Sequence, residues 1–174
     1  MNKDENVLHP CRVYKGCGFD DDDLSRPIIG IANAFSDIVP GHFHLRQVAD
    51  FVKKGVYRAG GNAVEFGVIG CCDSVGNGSF DGMHYILPSR ETIADSIEIM
   101  AKAHKLDGLV MLGSCDKIIP GMLMGCIRAN IPAILVPGGP MLSGPPFGKK
   151  VKSDSTAISE HLGCIRLAKL NGRM

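Results

Sequence analysis

The sequence predicts a three-layer α/β domain, a mainly parallel sheet covered by helices on both faces. Short apolar runs alternate with segments whose apolar residues recur at helical spacing, and the connections between them are short. Right-handed crossovers between parallel strands carry the intervening helices onto the two faces. A chain of 174 residues with 45% hydrophobic and 21% charged content can close one core and is short for two.

Residues 1–25 mix charge with Gly16, Gly18 and the run Asp20 to Asp23, and read as an irregular lead-in with a solvated acidic stretch. Pro27 to Ala32 (PIIGIA) fits a buried strand, with the loop Asn33 to His44 behind it. Leu45, Val48, Ala49, Val52 and Val56 then fall on one helical face until Ala59, Gly60 and Gly61 end the helix. A second strand is expected over Val64 to Gly70, then a glycine-rich loop from Cys71 to Gly82 that ends near Pro88. Ser89 is placed to cap a helix bearing Ile93, Ala94, Ile97, Met100 and Ala101 on one side. Asp107 and Gly108 turn the chain into the strand Leu109 to Gly113. Pro120 suits the first turn of the next helix, whose apolar stripe is expected to be Met122, Leu123, Cys126 and Ile127. Ile131 to Val136 is the fourth strand. Gly138 to Lys152 reads as a linker or long loop, and Ser155 to Leu170 as a final helix with Ile158, Leu162 and Ile165 inward, although Gly163 costs it about 1 kcal/mol relative to alanine. The expected organisation is therefore a lead-in over 1–25, an α/β domain over 26–141, and a linker with a terminal helix over 142–174.

A formal charge of +1, with no basic block interleaved with aromatics, points away from nucleic acid and from anionic lipid. No apolar run reaches the roughly 20 residues of a membrane span, and Met1 to Glu5 lacks a signal-peptide core. A cytoplasmic protein without a membrane partner is expected. Seven cysteines (Cys11, Cys17, Cys71, Cys72, Cys115, Cys126, Cys164) are then thiols or metal ligands rather than disulfides. Their spacing contains neither CxxC nor a zinc pattern, so any metal site must be assembled from separate loops.

Ligands of open parallel sheets bind outside the carboxyl ends of the strands, and here each loop after a strand carries reactive groups. The first holds Asn33, Ser36, Asp37 and PGHFH (Pro40 to His44), and the second Cys71, Cys72 and Asp73 with a run of glycines. The third holds Ser114 and CDKIIPGM (Cys115 to Met122), and the fourth GGPM (Gly138 to Met141). Carboxylates such as Asp73 and Asp116 suit Mg²⁺ or Mn²⁺, and a thiolate such as Cys115 suits an iron-sulfur cluster or zinc. On residue type alone, Asp116 can also be a loop or helix-cap carboxylate, Cys115 is equally a small buried residue, Cys126 on the apolar stripe of its helix reads as core packing, and His42 and His44 read as surface or hydrogen-bonding residues before metal ligands or proton carriers. Lys117 cannot ligate a metal as an ammonium, so it either stands outside the coordination shell or is modified. Gly76, Gly78 and Gly82 allow a close backbone approach, without the lysine of a P-loop.

RPIIGIAN, IVPGHFHL, AGGNAVEF, FDGMHYILPSRETIADSIE, DGLVMLGSCDKIIPGMLMG and NIPAILVPGGPM occur in the order found in the dihydroxy-acid and 6-phosphogluconate dehydratase family. Between about Arg26 and Met141 the chain resembles the amino-terminal part of these enzymes, and PGHFHL with LPSRETIADS places it nearer the dihydroxy-acid branch. The resemblance implies a hydro-lyase that converts a 2,3-dihydroxy carboxylic acid into a 2-keto acid, as in branched-chain amino-acid biosynthesis. Its alternatives are a sugar-acid or phosphogluconate dehydratase, or an inactive relict domain that binds a ligand. The implied cofactors are an iron-sulfur cluster, 2Fe-2S or 4Fe-4S, and Mg²⁺. Cys115 would bind the cluster; Asp73, Asp116 and Lys117, the last as a carbamate, would bind Mg²⁺, with Lys117 also counted as catalytic. The cluster iron would act as Lewis acid on the 3-hydroxyl, and Mg²⁺ would hold the carboxylate and stabilise the enolate.

Where some relatives carry a cluster cysteine in PCN, this chain has Pro40, Gly41 and His42, and Cys72 is a possible replacement ligand. A further cluster cysteine, a serine base and another metal carboxylate lie in the family beyond the segment resembled, and Cys164 in GCIRL does not match them. A second polypeptide carrying the rest of the enzyme is therefore expected as a partner, together with self-association into a homo-oligomer.

Overall fold

The computed structural model describes residues 12–77, 81–144 and 155–170. They fall into two compact units, Met1–Gly139 and Pro140–Met174. In the first unit, β1 (Ile28–Asn33), β2 (Asn62–Gly67), β3 (Gly108–Gly113) and β4 (Ala133–Pro137) form one sheet in the order β2-β1-β3-β4. Every pairing is parallel, with Gly30 opposite Val64 on one side and Leu109 on the other. The three main helices of this unit are α1 (Leu45–Arg58), α2 (Ser89–Ala103) and α3 (Ile118–Ala129).

Successive side chains of a strand point to opposite faces, and β1 and β3 accordingly feed two cores. Ile31 and Leu112 pack with Leu45, Ala49 and Ala63 beneath α1. Ala32, Leu109 and Met111 pack on the other face with Ile93, Ile97, Ile118 and Met122 of α2 and α3. Helices thus cover both sheet faces, the three-layer arrangement that the alternating pattern predicts. The chain moves outward from β1 to β2 and then crosses back over β1 to β3. The sheet order therefore switches direction between β1 and β3, and such a switch point opens a crevice at the carboxyl ends of the two strands.

The stripe expected on α3 is displaced. Its buried residues are Ile118, Gly121, Met122, Gly125 and Ala129, whereas Leu123 and Ile127 are 42% and 74% exposed. Glycine is the reason. A Cβ on Gly125 would meet the Ala94 carbonyl oxygen and Ile97 Cβ at 2.9 Å, so α3 turns its smallest residues to α2 and the larger apolar ones lose that side. Cys126 is partly buried against this core, in line with its reading as a packing residue.

Ser89 is the first residue of α2 and not its cap; Pro88 holds that position, and the buried Ser89 hydroxyl donates to the Ile86 carbonyl at 2.6 Å. β2 starts earlier than Val64 because Asn62 joins the ladder opposite Ile28 while its buried side chain donates to the Asp23 carbonyl. β2 also ends at Gly67, short of Gly70, and β4 begins at Ala133 rather than Ile131. The lead-in is more regular than its composition suggests. Helical geometry covers residues 12–16, and Asp20 accepts the Asp23 N–H at 2.8 Å to open a 3-10 turn, Asp23–Ser25.

The second unit contains α4 (Ser155–Leu170). Ile165 is partly buried, but Leu162, expected inward, is 52% exposed. Among the described residues of this unit α4 is the main element, so no second helix or sheet there encloses a full apolar stripe. Gly78, the side chain of Ile158 and most of the Gly138–Lys152 segment lie outside the described residues. No described helix is long and apolar enough to cross a membrane.

Candidate functional site

Two of the reactive loops, those after β2 and β3, meet at the carboxyl edge of the sheet. Asp73 opens a single helical turn, Asp73–Gly76, just beyond β2 and its loop, and Cys115, Asp116 and Lys117 lie between β3 and α3. Lys117 Nζ lies 3.6 Å from Asp73 Oδ2 and is hydrogen-bonded to the Asp116 carboxylate. The two carboxylates flank one ammonium and influence each other directly. Asp73 after β2 and Asp116 with Lys117 after β3, far apart in the sequence, are therefore brought to one point.

The cationic neighbour sets the electrostatics of this cluster. Its hydrogen bond holds the Asp116 carboxyl below the ordinary carboxylate range, and the same contact with Asp73 close by raises the Lys117 ammonium. Cys115 moves strongly the other way. Burial first, then the nearby Cys72 thiol and the Asp73 and Asp116 charges, push its thiol up to about 11. A free Cys115 is therefore protonated at neutral pH, and it becomes a thiolate only with a cation to pay for the charge. Cys115 also has φ +72, a left-handed conformation uncommon outside glycine.

The donor set suits two kinds of metal. Cys72 and Cys115 offer soft sulfur side by side, and next to them Asp73 and Asp116 offer hard oxygen converging on a cation, here the Lys117 ammonium. Among the described residues no group of three or more His, Cys, Asp or Glu side chains is arranged to hold a metal ion. The third group at the carboxylate pair is a lysine, which offers an anionic oxygen only after modification.

The histidines occupy the layer beneath. His42 is fully buried, with ring nitrogens against Ala34 and Ser114, and His44 Nε2–H donates to the Gly138 carbonyl at 2.9 Å. Of the readings open for them, hydrogen bonding is the one adopted. Asp37 and Ser36 lie on the same loop, where Ser36 Oγ accepts the Ile38 N–H at 3.2 Å. None of these joins the Asp73–Lys117–Asp116 cluster.

Sequence reasoning overlooked a second feature of this edge. Asn33, Phe35, Arg46, Glu65, Gly67 and Ile69 line a cavity of about 430 Å³. Glu65 accepts from Asn33 Nδ2 at 2.7 Å and pairs with Lys53, while the Arg46 guanidinium lies 3.8 Å over the Phe35 ring. The available signal was a charged residue, Glu65, interrupting an otherwise apolar strand.

The family model described as dihydroxy-acid/6-phosphogluconate dehydratase N-terminal matches residues 26–171. A dihydroxy-acid dehydratase of Methanococcus vannielii is 52% identical over 91% of this chain. One from Pyrococcus furiosus is 49% identical over 91% of the chain, and one from Methanoregula boonei 58% identical over 79%. The chain spans 28% of the length of the first two relatives and 25% of the third. The match starts at Arg26, where the sequence blocks start, and with most of the chain inside it the protein belongs to the dihydroxy-acid/6-phosphogluconate dehydratase family, whose amino-terminal region it represents.

Proposed function

We propose that this chain supplies part of the active site of a dihydroxy-acid dehydratase, removing water from a 2,3-dihydroxy carboxylic acid to leave a 2-keto acid, as in branched-chain amino-acid biosynthesis. The observation that carries the reading is the cluster at the carboxyl edge of the sheet: Asp73 and Asp116 both beside the Lys117 ammonium, with Cys115 on the same loop as Asp116. Relatives named dihydroxy-acid dehydratase at 49–58% identity favour this substrate class over a phosphorylated sugar acid.

In this reading Cys115 holds an iron-sulfur cluster, and Asp73 and Asp116 hold Mg²⁺. When bound, these groups supply Lewis acidity toward the 3-hydroxyl and positive charge toward the substrate carboxylate. Lys117 contributes as a carbamate, formed when its amine attacks CO₂ and releases a proton, which turns a repelled cation into an anionic oxygen donor. Its two carboxylate neighbours hold it as an ammonium in their own charge field, so loss of that proton is tied to neutralisation of Asp73 and Asp116. Cys115 gives up its proton on binding, and its high thiol pKa makes the affinity rise with pH over the neutral range. Because the chain spans 28% of such relatives, the remaining groups come from a second polypeptide or segment.

The test is to produce the chain anaerobically together with the remaining length of the Methanococcus vannielii relative and assay 2-keto acid release. The expected result is a brown complex that forms product, and a Cys115→Ser complex without cluster absorbance. A colourless, iron-free complex that dehydrates no 2,3-dihydroxy acid would overturn the reading.

A further inference from the structure

The two histidines of PGHFH have no part in the chemistry above, yet His42 is among the largest fully buried side chains of the molecule. We infer that His42 is a positioning residue: its ring buckles together the loops that follow β1, β2 and β3 and thereby sets the backbone that presents Cys115 at the rim. The inference rests on the reading of Cys115 as a cluster ligand only for its significance, since the buckle itself is a matter of hydrogen bonds.

The hydrogen bonds fix the tautomer. Nδ1 faces the Ala34 carbonyl oxygen, which can only accept, so Nδ1 carries the proton. In the neutral ring Nε2 then has a free lone pair, and the Ser114 N–H donates to it at 2.8 Å. The 3.2 Å approach of Nε2 to the Ser114 carbonyl oxygen is therefore a contact between two acceptors, not a second bond. A Cβ on Gly70 would come within 2.9 Å of Nδ1, so the loop after β2 closes over the ring only because residue 70 is glycine. Both ring nitrogens are committed, and His42 is not available as a metal ligand.

The position of these bonds is what matters. The ladder between β1 and β3 is still present where the Ala34 N–H donates to Leu112 O at 3.0 Å, and then β1 turns away. Ser114, the next residue outward from β3, is buried and needs a partner for its N–H. His42 provides it. The Ser114 hydroxyl is held as well, donating to the Gly139 carbonyl at 3.2 Å, and a Cβ on Gly41 would stand 3.1 Å from Ser114 Cβ. Immediately after this doubly held residue the backbone enters the left-handed conformation of Cys115, φ +72. Such a conformation persists where the surroundings over-determine it, and the His42 buckle is that determinant.

Two measurements on the 174-residue chain test this without any metal. Nitrogen-15 NMR of the histidine rings is expected to find His42 as the Nδ1–H tautomer, with a hydrogen-bond coupling from the Ser114 amide to Nε2; an Nε2–H tautomer overturns the inference. The second is iodoacetamide labelling followed by mass spectrometry. His42→Ala is expected to raise the Cys115 alkylation rate roughly tenfold, the loss of one buried hydrogen bond, while the exposed Cys17 and Cys164 keep their rates. His42→Gln, which can offer both a donor and an acceptor, is expected to restore most of the protection. An unchanged Cys115 rate in folded His42→Ala, or an equal rise at Cys126 from general loosening, contradicts a specific buckle. Should His42→Ala not fold, the tautomer in the unaltered chain decides. A missing cluster in the whole enzyme would sink the proposed function and leave both readouts untouched.

Discussion

The layer beneath the rim and the layer upon it are built on opposite terms. Beneath, His42, Ser114, Ile118 and Met122 are almost fully enclosed, and the described hydrogen bonds of the two polar side chains run to backbone groups. Upon it, Asp116 and Lys117 are charged, and the Asp116 side chain is 61% exposed. Buried packing and satisfied hydrogen bonds stabilise, whereas an exposed ion pair contributes little net free energy. The lower layer therefore holds the shape, and the upper layer spends that rigidity on holding like charges together around a cation.

The largest effect expected is in the lower layer. Ile97→Ala, fully buried between α2 and α3, is expected to cost about 2–5 kcal/mol in chemical denaturation. Gly125→Ala sharpens the same contrast, because its methyl would press on the Ala94 carbonyl, and about 1–3 kcal/mol is expected. Ile127→Ala, two residues beyond Gly125 and on the exposed side of α3, is expected to stay within about 0.5 kcal/mol. Equal losses at residues 97 and 127 would break the distinction between the two faces.

A smaller effect is expected beside the cavity at Glu65. Burial pushes its carboxyl up, but the hydrogen bonds from Lys53 and Asn33 outweigh this and leave it below the ordinary range. A carboxyl lowered by folding stabilises above its unfolded pKa of about 4.3, and the gain is lost as pH falls through the folded value. Lys53→Met is expected to raise the Glu65 pKa in an NMR titration, to remove this loss at acid pH, and to cost under about 1 kcal/mol at pH 7. The smallest effect belongs to the upper layer. Asp116→Asn is expected to leave the denaturation midpoint where it is, and a clear loss would mean that the charge cluster is structural.

Much of this was legible beforehand, and the reasons are specific. The sheet and its helices follow from local patterns, and the run of Leu45, Val48, Ala49, Val52 and Val56 yields α1 as expected. The convergence of Asp73 with Asp116 and Lys117 follows from where parallel strands end, a rule of topology rather than of spacing. The buried face of α3 was not legible, since apolar content favours Leu123 and Ile127 while the decision lies in how closely α2 approaches Gly121 and Gly125. The role of His42 was not legible either. It depends on the carbonyl of Ala34 and the amide of Ser114, backbone groups that every residue has and only the fold can aim.

The central claim is that Asp73, Asp116 and Lys117 form a seat for a divalent cation, which Mn²⁺ titration of the chain in bicarbonate buffer, followed by electron paramagnetic resonance, examines most directly. The account predicts that free Mn²⁺ signal is lost on adding the chain and returns, with affinity down at least roughly tenfold, in Asp73→Asn, Asp116→Asn and Lys117→Met. Binding that is undiminished in all three variants would contradict it.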